Sequence, residues 1–272
     1  MSTSESLAYG GLNRTYRLYV PSSLPTDAAV PLVVALHGGL GDGAGFESNS
    51  RLDRVADAGR FIVVYPDGFR RTWNGGYCCG PAQKRNVDDV GFLVALVDSL
   101  SSRYRIDPAR VFALGHSNGG IMAYRLACER PDEFVAIGVV AGSMGGVTCR
   151  PSRPVSIIHI HGDADRNHPI DGGVGSRSVS RTRFNSAMST LEQWVGFDHC
   201  VATPQVNDTA TILTRTWSGC GDGTEIVFHT IKGGSHAWPG GTRVLPRIIG
   251  PPSTAIDASS AIWEFFATHG RG

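Results

Sequence analysis

Apolar residues along this chain follow two rhythms. Residues 32–36 (LVVAL), 61–65 (FIVVY), 135–140 (VAIGVV) and 155–160 (VSIIHI) are apolar nearly throughout, and residues 111–114 (VFAL) run apolar up to Gly115. Short runs without alternation predict strands covered on both faces, as in a parallel sheet between helices. Residues 14–20 (RTYRLYV) instead alternate polar with apolar or aromatic, the period of a half-buried edge strand, and Pro21 and Pro25 stop it. Residues 211–217 and 225–231 alternate around the turn Gly219-Cys220-Gly221-Asp222-Gly223, which predicts two more strands.

Helical spacing fills the gaps. Leu52, Val55 and Ala56 mark a helix closed by Gly59. Val90, Leu93, Val94 and Val97 share the face of another that opens after Asn86, with Asp88 and Asp89 in the first turn, where the helix dipole favours acids. A third follows Ser117 and carries Ile121, Met122, Tyr124 and Leu126; Leu191, Trp194 and Val195 predict a short one. Thr254-Ala255-Ile256-Asp257 has the form of a capping box ahead of the last helix, whose buried face would be Ile256, Ile262, Trp263 and Phe266. Strands alternating with helices imply a mostly parallel, doubly wound sheet flanked by helices. The expectation is a single domain over residues 1–272, with functional residues on loops at the carboxyl ends of the strands.

Composition narrows the function classes. With 25 Lys and Arg against 24 Asp and Glu the net charge is +1, and 18% of residues are charged, which offers no handle to nucleic acid or an anionic membrane. No apolar run approaches the roughly 18 residues of a membrane span, so a soluble chain is expected. The 35 Gly and 15 Pro fall between the apolar runs and imply shaped loops. Residues 1–6 lack the basic region and apolar core of a signal peptide, so on its residues alone the chain is cytosolic or starts beyond a removed leader. Six cysteines make an even set; Cys200 and Cys220 bracket a hairpin-like segment and form the most readily argued disulfide, with buried free thiols as the alternative. The one close pair, Cys78 and Cys79, is adjacent and no C-x-x-C occurs, so metal spacing is absent.

The candidate chemistry starts at Gly115-His116-Ser117-Asn118-Gly119, where a strand turns into a helix. In that context a G-x-S-x-G element lifts a serine Oγ above the end of a sheet, the glycines permitting the bend. A serine hydroxyl needs a base to take its proton, and the base needs a carboxylate to hold its tautomer. His236, in a Gly233-Gly234-Ser235-His236 loop just past the last strand, is the candidate base. The acid is Asp165 or Asp163. Asp165 is favoured, because a turn beginning at Gly162 returns its fourth residue to the sheet's end, whereas Asp163 suits an Asx turn. Ser117, Asp165 and His236 then follow the order Ser, Asp, His, each just past a strand. The N–H groups of Asn118 and Gly39 are the candidate oxyanion donors; removing one such donor in a comparable enzyme costs about 2.7–4 kcal/mol. His159 and His161 share a strand face with His168 nearby, but no third ligand stands at a metal spacing. Gly138-x-x-x-Gly142 lacks the lysine of a phosphate loop, so neither metal nor cofactor is expected. His116 is expected to pack rather than react.

Over nearly its whole length the chain resembles the secreted α/β-hydrolase group that includes feruloyl esterases of carbohydrate esterase family 1 and polyhydroxybutyrate depolymerase-like enzymes. The likeness runs through R-x-Y-x-L-Y-V-P, LHGG, YPDG, WNGGYCCGPA, VDDVGFL, GHSNGGIMAYRLAC, HIHGDAD and GGSHAWPG, most specifically the Cys-Cys loop leading into VDDVGFL, and GGSHAWPG. It implies the α/β-hydrolase fold, a triad of Ser117, Asp165 and His236, an oxyanion hole of Gly39 and Asn118, and an acyl pocket bordered by Trp73 and Trp238. It also implies disulfides, Cys200 with Cys220, and Cys78 and Cys79 with Cys128 and Cys149 in either order. The implied protein is secreted and acts on a small-molecule or polysaccharide-linked ester, with no nucleic acid and no membrane as partner. Gly39 stands where many depolymerases carry cysteine, and the linker and substrate-binding domains of extracellular depolymerases have no counterpart, which favours a small or oligosaccharide-linked ester. The expected activity is serine carboxylic-ester hydrolysis through an acyl-enzyme, on hydroxycinnamoyl esters of plant polysaccharide. A polyhydroxyalkanoate oligomer depolymerase or acetylxylan esterase is the alternative within the class. Outside it stand a serine peptidase, which in this fold usually adds a gating domain, and a catalytically silent binding module, which would lack a triad member.

Overall fold

Leu32, Val34 and Leu36 face one side of the central sheet and Val33 and Ala35 the other, and all five are buried. Both faces are covered by helices, which is why this strand reads as one unbroken apolar run. The computed structural model describes residues 2–25, 27–242 and 246–271. The strands are β1 (Thr3–Tyr9), β2 (Leu12–Tyr19), β3 (Val30–Leu36), β4 (Ile62–Pro66), β5 (Ile106–His116), β6 (Ala136–Val140), β7 (Ser156–Gly162), β8 (Gln205–Asp208), β9 (Ile212–Trp217) and β10 (Ile226–Ile231). The helices are α1 (Gly43–Ser50), α2 (Leu52–Gly59), α3 (Gly80–Lys84), α4 (Asp89–Ser101), α5 (Asn118–Glu129), α6 (Ala187–Phe197), α7 (Pro246–Ile249) and α8 (Ala258–Thr268).

All ten strands form one sheet in the order β1-β2-β4-β3-β5-β6-β7-β10-β9-β8. The six from β4 to β10 are parallel, and antiparallel pairs flank them on each side. Apolar residues of α4, α5 and α6 pack on one face and those of α1, α2 and α8 on the other. This is the α/β-hydrolase architecture that the apolar rhythm and the elbow implied. The chain leaves β3 for β4 on one side and returns to β5 on the other, so a topological switch point opens between β3 and β5, where such sheets place their ligands.

Three expectations are corrected. Residues 14–20 do not form the edge, because β1 pairs outside β2 in the register Glu5↔Tyr16; its Thr-Ser-Glu-Ser start is exposed and carries little apolar signal. An exposed β8 likewise lies outside β9. The last helix starts at Ala258 with Asp257 as its cap, the carboxylate accepting from Ser260 N–H at 3.0 Å, so Thr254 lies ahead of the helix. The cysteines pair Cys78–Cys79, Cys128–Cys149 and Cys200–Cys220. The last is the one argued from the sequence. Cys128, near the end of α5, stands with its Cα 5.4 Å from that of Cys149, which leaves the adjacent pair to each other rather than cross-linked to them.

Candidate active site

The loops after β3, β5, β7 and β10 meet at the carboxyl end of the sheet. After β5 the chain reverses into α5 at Ser117, whose φ of 53° and ψ of −116° lie where non-glycine residues are strained by about 1–3 kcal/mol. Gly115 and Gly119 do not take the left-handed conformation themselves. Their role is close approach: a Cβ on Gly115 would strike the backbone of Gly119, and one on Gly119 would strike the carbonyl of Leu36. The glycines thus let α5 press onto β3 and β5, and the strained torsion falls on the serine.

Ser117 Oγ lies 2.9 Å from His236 Nε2, and His236 Nδ1 lies 2.6 Å from Asp165 Oδ2. Asp165 turns back as expected, its N–H bonding the Gly162 carbonyl at 3.3 Å. Its Oδ1 accepts the N–H groups of Asn167 and His168 at 2.7 and 2.9 Å. Asp163, the alternative acid, is exposed and accepts Gly233 N–H at 2.6 Å, which ties the acid loop to the histidine loop. Ala164 N–H adds a bond to the Gly234 carbonyl, and a Cβ on Gly162 would strike Gly234, so the two loops touch backbone to backbone. Burial pushes the Asp165 carboxyl up, but the charge of His236 and the hydrogen bonds from His161 and His236 win and hold it below the usual carboxylate range. It stays ionised and fixes the proton of His236 on Nδ1, leaving Nε2 to accept from the Ser117 hydroxyl.

Asn118 opens α5, so its N–H points out of the helix N-terminus without an intrahelical partner. Gly39 lies across from it, where a Cβ would be 3.7 Å from that of Asn118. The Asn118 side chain does something the sequence reading did not foresee. Its Oδ1 accepts Trp73 N–H at 2.7 Å and its Nδ2 donates to the Trp73 carbonyl at 3.0 Å, like one rung of a sheet. Trp73 Nε1–H donates to the His37 carbonyl at 3.0 Å, so this residue braces both segments that carry the candidate oxyanion donors. His37 accepts Gly68 N–H at Nε2, and burial lowers its pKa and keeps it neutral.

The two tryptophans differ from the role the resemblance implied. Trp73 is 0% and Trp238 1% exposed, so neither ring offers open surface to an acyl group. Trp238 packs edge-on to Phe46 and bonds Ser259 Oγ at 3.1 Å. Tyr77 and Phe184, 6.2 Å apart and nearly perpendicular, cluster with Cys78, Cys79 and Ile121, and Ile121 sits one turn after Ser117. His116 packs as expected and donates from Nε2 to the His236 carbonyl at 2.7 Å; burial, then the charge of His236, pushes its pKa down to about 3.

Sequence reasoning named the candidate serine, histidine, acids and N–H donors that the fold brings together here. It missed the Asn118 amide, whose type gave no hint of a partner 45 residues away, and it weighed His159 and His161 only as metal ligands.

Comparison with known proteins places the chain among esterases. The protein named "Putative esterase NocK", of Nocardia uniformis subsp. tsuyamanensis, is 30% identical over 97% of this chain and 82% of its own length. "Feruloyl esterase B" of Piromyces equi is 29% identical over 80% of this chain, which spans 41% of that longer protein. The acetyl xylan esterase structure from Aspergillus awamori shares the fold, with a TM-score of 0.65 at 16% identity, covering 97% of this chain and 99% of that one. The family described as "Esterase PHB depolymerase" matches residues 14–207. The chain belongs to the Esterase PHB depolymerase family and is a carboxylic-ester hydrolase of the α/β-hydrolase fold.

Proposed function

We propose that Ser117 is the nucleophile of this hydrolase, His236 its general base and acid, and Asp165 the carboxylate that orients His236. The observation that carries this reading is the pair of contacts at 2.9 and 2.6 Å linking the three. Ser117 Oγ attacks the ester carbonyl carbon as His236 Nε2 takes its proton, and the oxyanion forms against the N–H groups of Gly39 and Asn118. The C–O bond to the alcohol breaks, His236 returns the proton to the departing oxygen, and the acyl-enzyme remains. Water, deprotonated by His236, then releases the acid and restores the serine.

The substrate class we favour is a hydroxycinnamoyl ester linked to plant polysaccharide. The Tyr77–Phe184 pair beside α5 supports an aromatic acyl group, and so does the likeness to the Piromyces equi protein. The family's description favours hydroxybutyrate oligomers as a second reading. Three disulfides support an oxidising, secreted setting, and among the described residues no helix is long and apolar enough to cross a membrane. One continuous sheet supports reading residues 1–272 as one catalytic domain.

The test is an ester panel of methyl ferulate, acetylated xylan and hydroxybutyrate oligomers, run on the wild type and on Ser117→Ala. The wild type should turn over methyl ferulate fastest, and Ser117→Ala should lose more than about a thousandfold in kcat with its fold intact. Retained turnover, or wild-type labelling of the variant by a fluorophosphonate, would remove Ser117 from the reaction.

A further inference from the structure

An ionised carboxylate has about four acceptor sites, and Asp165 fills three of them with the N–H groups of Asn167, His168 and His236. The fourth donor is a second imidazole. His161 Nε2 lies 2.8 Å from the His168 carbonyl oxygen and 3.5 Å from Asp165 Oδ2. A carbonyl oxygen only accepts, so this nitrogen bears the proton; its N–H bonds the carbonyl and reaches the carboxylate as a longer contact of 3.5 Å. In the neutral ring His161 Nδ1 is then an acceptor, and His159 Nε2 donates to it at 3.0 Å. His159 Nδ1 is left to accept in turn, and the Tyr124 hydroxyl donates to it at 2.7 Å. One set of tautomers satisfies every ring nitrogen in the row.

The row begins and ends on the same helix. From Ser117, which caps α5, it runs through His236, Asp165, His161 and His159 to Tyr124, about two turns further along α5. Tyr124, His159 and His161 are at most 1% exposed, on the sheet face where Ile157 joins the apolar core. Apolar side chains of similar volume would pack there without requiring partners, so an unbroken polar row calls for a reason beyond stability. Burial drives the His159 pKa well below its ordinary value, so this link stays neutral and its direction stays fixed.

We propose that His161, held by His159 and Tyr124, is a positioning residue: as the second side-chain donor to Asp165 Oδ2 it keeps the carboxylate, and through it His236, in one orientation relative to Ser117. The proposal rests on the triad reading above.

His161→Leu removes the donor at similar volume, whereas His161→Gln keeps an N–H near the place of Nε2. With the ester that the wild type hydrolyses best, His161→Leu should lose about ten- to a hundredfold in kcat at unchanged KM, the loss of one hydrogen bond to a charged group read as a rate. His161→Gln should recover most of it. Tyr124→Phe, which frees His159 to change tautomer, should lose a few-fold. The downfield proton resonance of the His236–Asp165 hydrogen bond should move in His161→Leu. A purely structural role would lower the melting temperature while leaving the kcat of the folded protein and this resonance in place. A folded His161→Leu with wild-type kcat overturns the proposal, as does a His161→Gln no better than leucine. Should His161→Leu not fold, an unchanged kcat in Tyr124→Phe overturns it. Each outcome is read beside Ser117→Ala: an inactive serine variant with an unaffected His161→Leu sinks the positioning role alone, and an active serine variant sinks the triad reading itself.

Discussion

Asn118 performs two tasks with different parts of one residue. Its backbone N–H faces the proposed oxyanion, while its side chain, 2% exposed, completes two hydrogen bonds with the backbone of Trp73. Asn118→Ala keeps the N–H but leaves the buried Trp73 N–H unpaired, at a cost of about 1–3 kcal/mol, while the Trp73 carbonyl still accepts the N–H groups of Gly75 and Cys79 at 3.1 Å. Both a lower melting temperature and a roughly tenfold lower kcat are expected, since the brace holds the helix N-terminus against the loop after β3. Asn118→Asp keeps an acceptor for Trp73 N–H but sets a negative charge beside the forming oxyanion, so its kcat should fall below that of Asn118→Ala. Steady-state kinetics of the two variants on the preferred ester decide this; an aspartate variant more active than the alanine would mean that the side chain does not stand near the developing charge.

At the scale of elements, the loop from Trp73 to Cys79 overhangs α5 and is anchored from beneath by α4. Asp89 accepts Asn74 N–H at 2.8 Å and the Arg14 guanidinium at 2.8 Å, and Arg14 lies 4.0 Å over the ring of Phe92. Burial raises the Asp89 pKa and Arg14 draws it back. Asp89→Ala strands a guanidinium that is 4% exposed, and breaking such a buried pair typically costs about 3–5 kcal/mol. Urea unfolding should show that loss, and a cost under about 1 kcal/mol would mean that water reaches Arg14. This anchor bears on what was legible in the sequence. The buried strands β3 to β7 announced themselves because both of their faces are apolar, and the proposed triad because each member follows a strand. The exposed edges β1 and β8 lack that signal. The partners of Asp89, of Asn118 and of His161 are set by contacts across the fold, which no local spacing encodes. The helix-dipole reading of Asp88 and Asp89 was right for Asp88, whose carboxylate caps α4 by accepting Gly91 N–H at 2.9 Å, and incomplete for Asp89, which belongs to the sheet side.

Across the whole molecule, the proposed chemistry gathers at the carboxyl ends of the strands, and the opposite end is left to stability. There Asp198, after α6, is fully buried; one carboxylate oxygen accepts Val155 N–H at 3.3 Å, and among the described residues the other has no partner. Burial pushes its pKa up to about 7, with the Val155 N–H pulling weakly the other way. The folded state therefore keeps a proton that the unfolded chain releases from its ordinary pKa of 3.8 upward. The stability this group contributes is fully present below the unfolded value and is lost as pH rises through about 7. Asp165 has the opposite sign, its lowered pKa adding stability that disappears only as pH falls into the acid range. Asp198→Asn resembles the protonated acid at every pH. Its melting temperature should match that of the wild type near pH 4 and exceed it by several degrees near pH 8, the gap opening between these values and then staying level. Because Asp198 lies at the far end of the sheet from Ser117, kcat should not change. A gap of equal size at both pH values would mean that Asp198 titrates normally, and that its burial is relieved by water the fold admits from below.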